Sequence, residues 1–173
     1  MNLSLLLILP LAFSLLLLAV KGLKQVRTVA LLAAVAQLGL SVFLLFKFLE
    51  ERITSSGDFI FDQNYTWYKA LNINYHVGVD GISVAMILLT SFVVLAAVLV
   101  SWKQEHMHKE FFFLLLFLSL GAYGFFISLD LFTMFFFLEV AVIPKFLLIG
   151  IWGSGKKEYS ALKLALMLMA GSA

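Results

Sequence analysis

The chain has 173 residues, 63% of them hydrophobic and only 13% charged. Soluble domains run to about 45–50% apolar and about 25% charged, so this is the composition of a membrane protein. A net charge of +2 gives no footing for a nucleic-acid partner, and the lack of cysteine excludes disulfides, thiolate metal sites, iron–sulfur ligation and cysteine nucleophiles.

Residues 3–20 make a first apolar run of about spanning length. A secretory signal peptide needs basic residues before its apolar core, whereas Lys21, Lys24 and Arg27 follow this one, so a retained helix is expected. Pro10 would bend it, which membrane helices tolerate. Residues 28–46 form the second span, with Ala33, Ala36, Gln37 and Ser41 as small and polar residues of the kind found at helix contacts; ordinary packing is the expected role of Gln37.

Hydropathy falls from Lys47 to Val79, where Glu50, Glu51, Asp58 and Asp62 stand against Arg52 and Lys69, with aromatics at Phe59, Phe61, Tyr65, Trp67, Tyr68 and Tyr75. An ordered extramembrane loop is expected here, with the alternation at Phe59-Ile60-Phe61 and Ile73-Asn74-Tyr75-His76-Val77 fitting a short hairpin. Asp80 then opens the third span, about residues 81–101, as an N-cap whose carboxylate takes up a free amide of the first turn. After the charged link at 103–110 comes a fourth span at 111–128, in which Gly121 and Gly124 allow a neighbour to come close.

Asp130 caps the fifth span, 130–153, and this is the chemically telling one. Glu139 stands about 12 Å in from its outer end, near the bilayer centre, where an acid is expensive and functional by default. Burial raises a carboxyl pKa and a nearby ammonium lowers it, so an acid whose basic partner approaches and retreats can take up and release a proton. Pro144 offers a hinge by removing one backbone bond and crowding the carbonyl of Val140. Lys145 and Lys163 are the other two ionisable residues at membrane depth. Side chains tilt toward a helix N-terminus, which biases Lys145 away from its nearer interface and Lys163 toward its own. Lys145 cannot reach Glu139: six residues separate them by about 9 Å along the axis and about 120° around it. A sixth apolar run begins near Tyr159 and is cut short at Ala173, so the chain is expected to be a fragment of a longer protein.

Lysine and arginine counts favour the loops after spans one, three and five, which by the positive-inside rule puts the N-terminus outside. His76, His106 and His108 lie between apolar runs and make no helical pair suited to a haem. No cofactor and no metal are expected in this chain.

The residues also carry a resemblance. Phe136-Phe137-Leu138-Glu139, then Pro144, Leu148-Ile149 and Trp152-Gly153, resemble the fifth transmembrane helix of chain M of the proton-pumping NADH:quinone oxidoreductases, respiratory complex I. Gly78-Val79-Asp80-Gly81-Ile82-Ser83 with Leu89-Thr90 resembles the start of that family's third helix, and Ala161-Leu162-Lys163 its sixth. The resemblance implies an all-α polytopic bundle, the N-terminal helices of an antiporter-like fold with inverted repeats. Residues 1–110 would hold helices one to three with the loop at about 47–79. Residues 111–173 would open the first repeat with helices four, five and a truncated six. It implies a proton-translocating role for Glu139 and Lys163; Lys145, a third candidate on its depth alone, follows Pro144 where many relatives are expected to carry an apolar residue. The partners it implies are other membrane subunits, the lipid bilayer and protons, with quinone and NADH handled elsewhere in the complex, in a bacterial inner membrane. An Mrp-type cation/proton antiporter subunit and a purely structural membrane subunit are the competing readings.

Overall fold

In a computed structural model, which describes residues 2–54, 59–68 and 73–172, the chain is a bundle of six helices capped at one end by a two-stranded hairpin. The helices are α1 (Leu5–Ala19), α2 (Leu23–Thr54), α3 (Gly81–Val100), α4 (His108–Ile127), α5 (Leu131–Trp152) and α6 (Lys157–Ser172). Four of them, α2 to α5, are long and apolar enough to cross a membrane; α1, at 15 residues, is shorter. An apolar solvent leaves only closed hydrogen-bonding structures available to a spanning chain, and helices meet that demand within one segment.

The hairpin pairs β1 (Ile60–Tyr68) with β2 (Ile73–Val79) antiparallel. Between Ile60 and Gln63 the register slips by one residue, and Phe61 takes up the extra residue with a φ of 60°. Ile60, Val77 and Val79 are buried against Leu3, Leu6, Leu44 and Phe48. That contact explains the largest departure from the hydropathy profile. The second helix does not stop near Phe46 but runs to Thr54, because only a continued helix seats Phe48 under the hairpin. Lys47, Glu50, Glu51 and Arg52 are good helix formers, and Lys47 pairs with Glu50 at 2.7 Å on the exposed side. Asp58 and Lys69 lie outside the described residues.

A second apolar cluster, built on Leu17, Val26, Ala30, Val94, Val98, Phe112 and Leu116, fills the opposite end of the bundle. Between the two lies a buried polar layer. Pro10 has no N–H, so the carbonyl of Leu6, four residues earlier, loses its helical donor. Gln37 Nε2 donates to that carbonyl at 3.2 Å from α2. Ser41 and Ser91 meet at 2.5 Å, and the Tyr123 hydroxyl donates to Ser91 at 3.1 Å, so side chains of α2, α3 and α4 join in one layer. Gln37 is thus more than packing: it supplies the donor that Pro10 takes from α1. Gln37→Leu should leave a buried carbonyl unsatisfied and cost about 1–3 kcal/mol, read as a loss of thermal stability in detergent. Adding Pro10→Ala to that variant, which restores the N–H, should return most of it.

Asp80 caps α3 as expected, accepting from the Ser83 amide at 2.7 Å. That bond, helped by the Ser83 hydroxyl, holds the Asp80 carboxyl below its ordinary value. Its contribution is therefore present above the usual carboxylate range and fades as pH falls through the depressed value. Asp80→Ala should lose about 1 kcal/mol at neutral pH and converge on the parent protein in acid, as measured by unfolding midpoints across pH.

Candidate functional site

The site is α5, and neighbouring elements fix its position at both ends and along one side. At its start Asp130 accepts from the amides of Phe132 and Thr133 at 3.1 and 3.2 Å, which satisfies two of the free donors of the first turn. The Thr133 hydroxyl donates to the carbonyl of Asn74 at 3.1 Å, and the Leu129 amide donates to that of His76 at 2.8 Å. Strand β2 thereby clamps the α4–α5 link, with Gly78 leaving room for Leu129, whose Cδ1 would lie 2.7 Å from an added Cβ. His76 itself meets Asp62 across the hairpin at 2.5 Å, on the exposed side. At the other end of α5, Trp152 Nε1 donates to the carbonyl of His106 at 2.8 Å and its ring stands edge-on to Phe111.

Along its length α5 lies against α4 through two glycines. A Cβ at Gly124 would come within 2.2 Å of the Phe137 ring, and one at Gly121 within 2.9 Å of the Ala141 backbone nitrogen. The small residues read as contact positions in the sequence are therefore contact positions in the fold. Pro144 is buried, and α5 passes through it as one uninterrupted helix.

This packing assigns a face to each candidate residue. With about 100° per residue, Phe137, Ala141 and Pro144 define the side turned to α4. Glu139 lies about 160° around from Phe137, half-buried, on the face that also carries the exposed Phe135, Ile143 and Phe146. Lys145 lies about 80° from Phe137 and lines a groove between α3, α4 and α5. Helix α6 runs back along α5 with Ala161 against Gly150. From that contact Lys163 stands level with about residue 148, roughly 14 Å along the axis from Glu139. It is exposed, on the side of α6 away from Ala161.

The fold thus brings none of the three together: Glu139, Lys145 and Lys163 point in three directions. The buried polar side chains among the described residues, Ser14, Gln37, Ser41, Ser91, Ser119, Ser128 and Thr133, are all uncharged. Of these, the Gln37–Ser41–Ser91 layer with Tyr123 is what the sequence did not disclose. Its one local signal was Pro10, which announces an orphan carbonyl without saying which residue will meet it.

Residues 128–173, from the end of α4 through α6, match the membrane family described as "NADH:quinone oxidoreductase/Mrp antiporter, TM". In this segment the chain is similar to the antiporter-like membrane chains. Over 149 residues, 86% of the chain, it is 33% identical to NAD(P)H-quinone oxidoreductase chain 4 3 of Picosynechococcus sp., covering 26% of that protein. Over 111 residues, 64% of the chain, it is 38% identical to the chloroplastic NAD(P)H-quinone oxidoreductase chain 4 of Angiopteris evecta, covering 22% of it. The chain therefore spans about a quarter of the length of these curated relatives. Its fold is shared with a chain of the membrane-bound sulfane sulfur reductase, an archaeal respiratory membrane complex. The TM-score is 0.77 at 20% identity, over 98% of this chain and 34% of the other.

Proposed function

We propose that this chain forms part of a membrane-arm subunit of an NADH:quinone oxidoreductase, and that Glu139 is a proton-carrying group within it. The observation that carries the reading is the placement of Glu139. It is a carboxylate about 12 Å into a 22-residue apolar helix, and it stands on the side turned away from α4. An acid at that depth is expensive to keep and is functional by default, which is why its position on the helix supports a proton-carrying role. Lys163, on the outward side of α6, belongs to the same scheme as a second carrier. Residues 1–110 act as the flanking helices with their hairpin, and 111–173 open the repeat that carries the acid. Lys145, on another face of α5, is the third candidate. Glu139→Gln tests the reading by its effect on proton pumping in the assembled complex.

The same proposal places the N-terminus outside, in a bacterial inner membrane. A cysteine introduced at Asp62 should then react with an impermeant thiol reagent from outside, and one at Gln104 should not. The reverse pattern would overturn the orientation. An Mrp-type exchanger subunit is the second reading, since the matching family covers both assemblies. Co-purification of the chain with NADH-oxidising activity separates the two.

A further inference from the structure

The layer of Gln37, Ser41, Ser91 and Tyr123 crosses the bundle between the two apolar clusters, and all four side chains are buried. Its depth follows from the contacts of α4. Gly124 meets the Phe137 ring and Gly121 meets Ala141, on a helix that runs the other way. Tyr123 stands between the two glycines, which sets it level with Glu139 on α5 to within about 3 Å, two residues' rise. The layer and the acid therefore share one depth.

What the layer adds to the packing is direction. Apolar side chains touch without a preferred geometry, and lipid gives helices no hydrophobic drive to associate. A hydrogen bond holds its heavy atoms within about 2.5–3.2 Å. Sliding α4 along α3 by one residue's rise, about 1.5 Å, would take the Tyr123–Ser91 bond of 3.1 Å out of that range.

These bonds run in series across the bundle. Gln37 on α2 holds the Leu6 carbonyl of α1, Ser41 one turn later holds Ser91 of α3, and Ser91 holds Tyr123 of α4. The series ends one residue from Gly124, against which α5 is seated. Its last link can be cut without leaving a polar group stranded. Without the phenol hydroxyl, Ser91 keeps the Ile87 carbonyl at 2.9 Å and Ser41 at 2.5 Å.

We infer that this layer sets the level of α4 and α5 against the first three helices, and that Tyr123 is the positioning residue that holds Glu139 at its depth. Glu139 lies on the side of α5 turned away from α4, so the layer acts on it through helix position. Fixing register at little gain in stability is the best-attested use of a buried polar group. The role of Tyr123 rests on that proposed for Glu139; the level of the helices does not.

The experiment puts spin labels in the full-length subunit at Phe92 on α3 and Ile143 on α5, both exposed in this fold, and measures the distance between them. The parent should give one narrow distance. Tyr123→Phe keeps the ring, so its thermal midpoint should barely move, while the distance should broaden and shift by about 1.5 Å or more. In the assembled complex its coupled proton pumping should fall about tenfold, inside the hundredfold that a misplacement of about 1 Å can cost. Ser119→Ala is the control. It also deletes a buried hydroxyl of α4, but one that donates to its own helix, at the Leu116 carbonyl, so neither distance nor pumping should change. An unchanged distance in Tyr123→Phe, or the same shift in Ser119→Ala, overturns the inference. A shifted distance with normal pumping, where Glu139→Gln abolishes pumping, removes Tyr123 as a positioning residue. Normal pumping in Glu139→Gln removes the proposed function instead, and the distances still decide what sets the level of the helices.

Discussion

Glu139→Gln should abolish most proton translocation, and the quinone reduction coupled to it, in membranes where the full-length subunit is assembled in its complex. A carrier works by titration and a packing residue by volume, and these two can be changed separately. Gln keeps the volume and some hydrogen bonding but cannot take up or release a proton. Removal of a positioned proton-transfer group costs about a hundredfold at the low end, and that is the fall expected in the coupled rate. Glu139→Asp keeps the titration and shortens the reach by one methylene, so a substantial part of the activity should survive. NADH oxidation by an artificial acceptor bypasses the membrane arm and should be unchanged in both variants. All three activities are compared at matched subunit content. Near-normal pumping in the Gln variant would make Glu139 a packing residue and would remove the centre of the proposed function.

The same residue shows what was legible in the sequence and what was not. Its depth follows from counting along an apolar run, because the rise per residue is fixed. Its direction does not follow, because which side of α5 meets α4 is decided by Gly121 and Gly124 on a different helix. The caps at Asp80 and Asp130 were readable because a cap is a local bargain between one side chain and the next turn. The hairpin was readable from alternation, and its bulge at Phe61 was not, since that answers to Val79 and Val77 on the facing strand. Hydropathy ended the second helix too early because it registers preference for lipid and is silent on helix continuation through Phe48 into Thr54. Gln37 looked like ordinary packing for the same reason that Pro10 looked like an ordinary kink. Each explains the other, yet the donor on Gln37 and the Leu6 carbonyl that it meets are 31 positions apart in the sequence.

The contact that gives α5 its direction also carries the second large expected effect. Gly124→Val should displace α5 from α4 and destabilise the bundle by about 3 kcal/mol, the upper range for forcing volume into a packed contact. The reason is geometric: even the first added carbon would lie 2.2 Å from the Phe137 ring, and that ring is held between the two helices. Phe137→Ala alone should cost less than such a truncation costs in a soluble core. Lipid tails are as apolar as the protein interior, so the transfer component nearly vanishes and only the lost contacts remain. A loss of about 1–2 kcal/mol is expected. The two changes should not add, since Ala at 137 vacates the space that Val at 124 needs. The double variant should therefore be more stable than Gly124→Val by itself, with a coupling of about 1–3 kcal/mol from the cycle of unfolding midpoints in one detergent. Additive losses would mean that the ring and the glycine do not meet, and the face assigned to Glu139 would have to be redrawn. Because displacement of α5 also turns Glu139, Gly124→Val should lower coupled proton pumping in the assembled complex as well. Partial recovery of pumping in the double variant would tie that loss to helix position, and no recovery would separate the two.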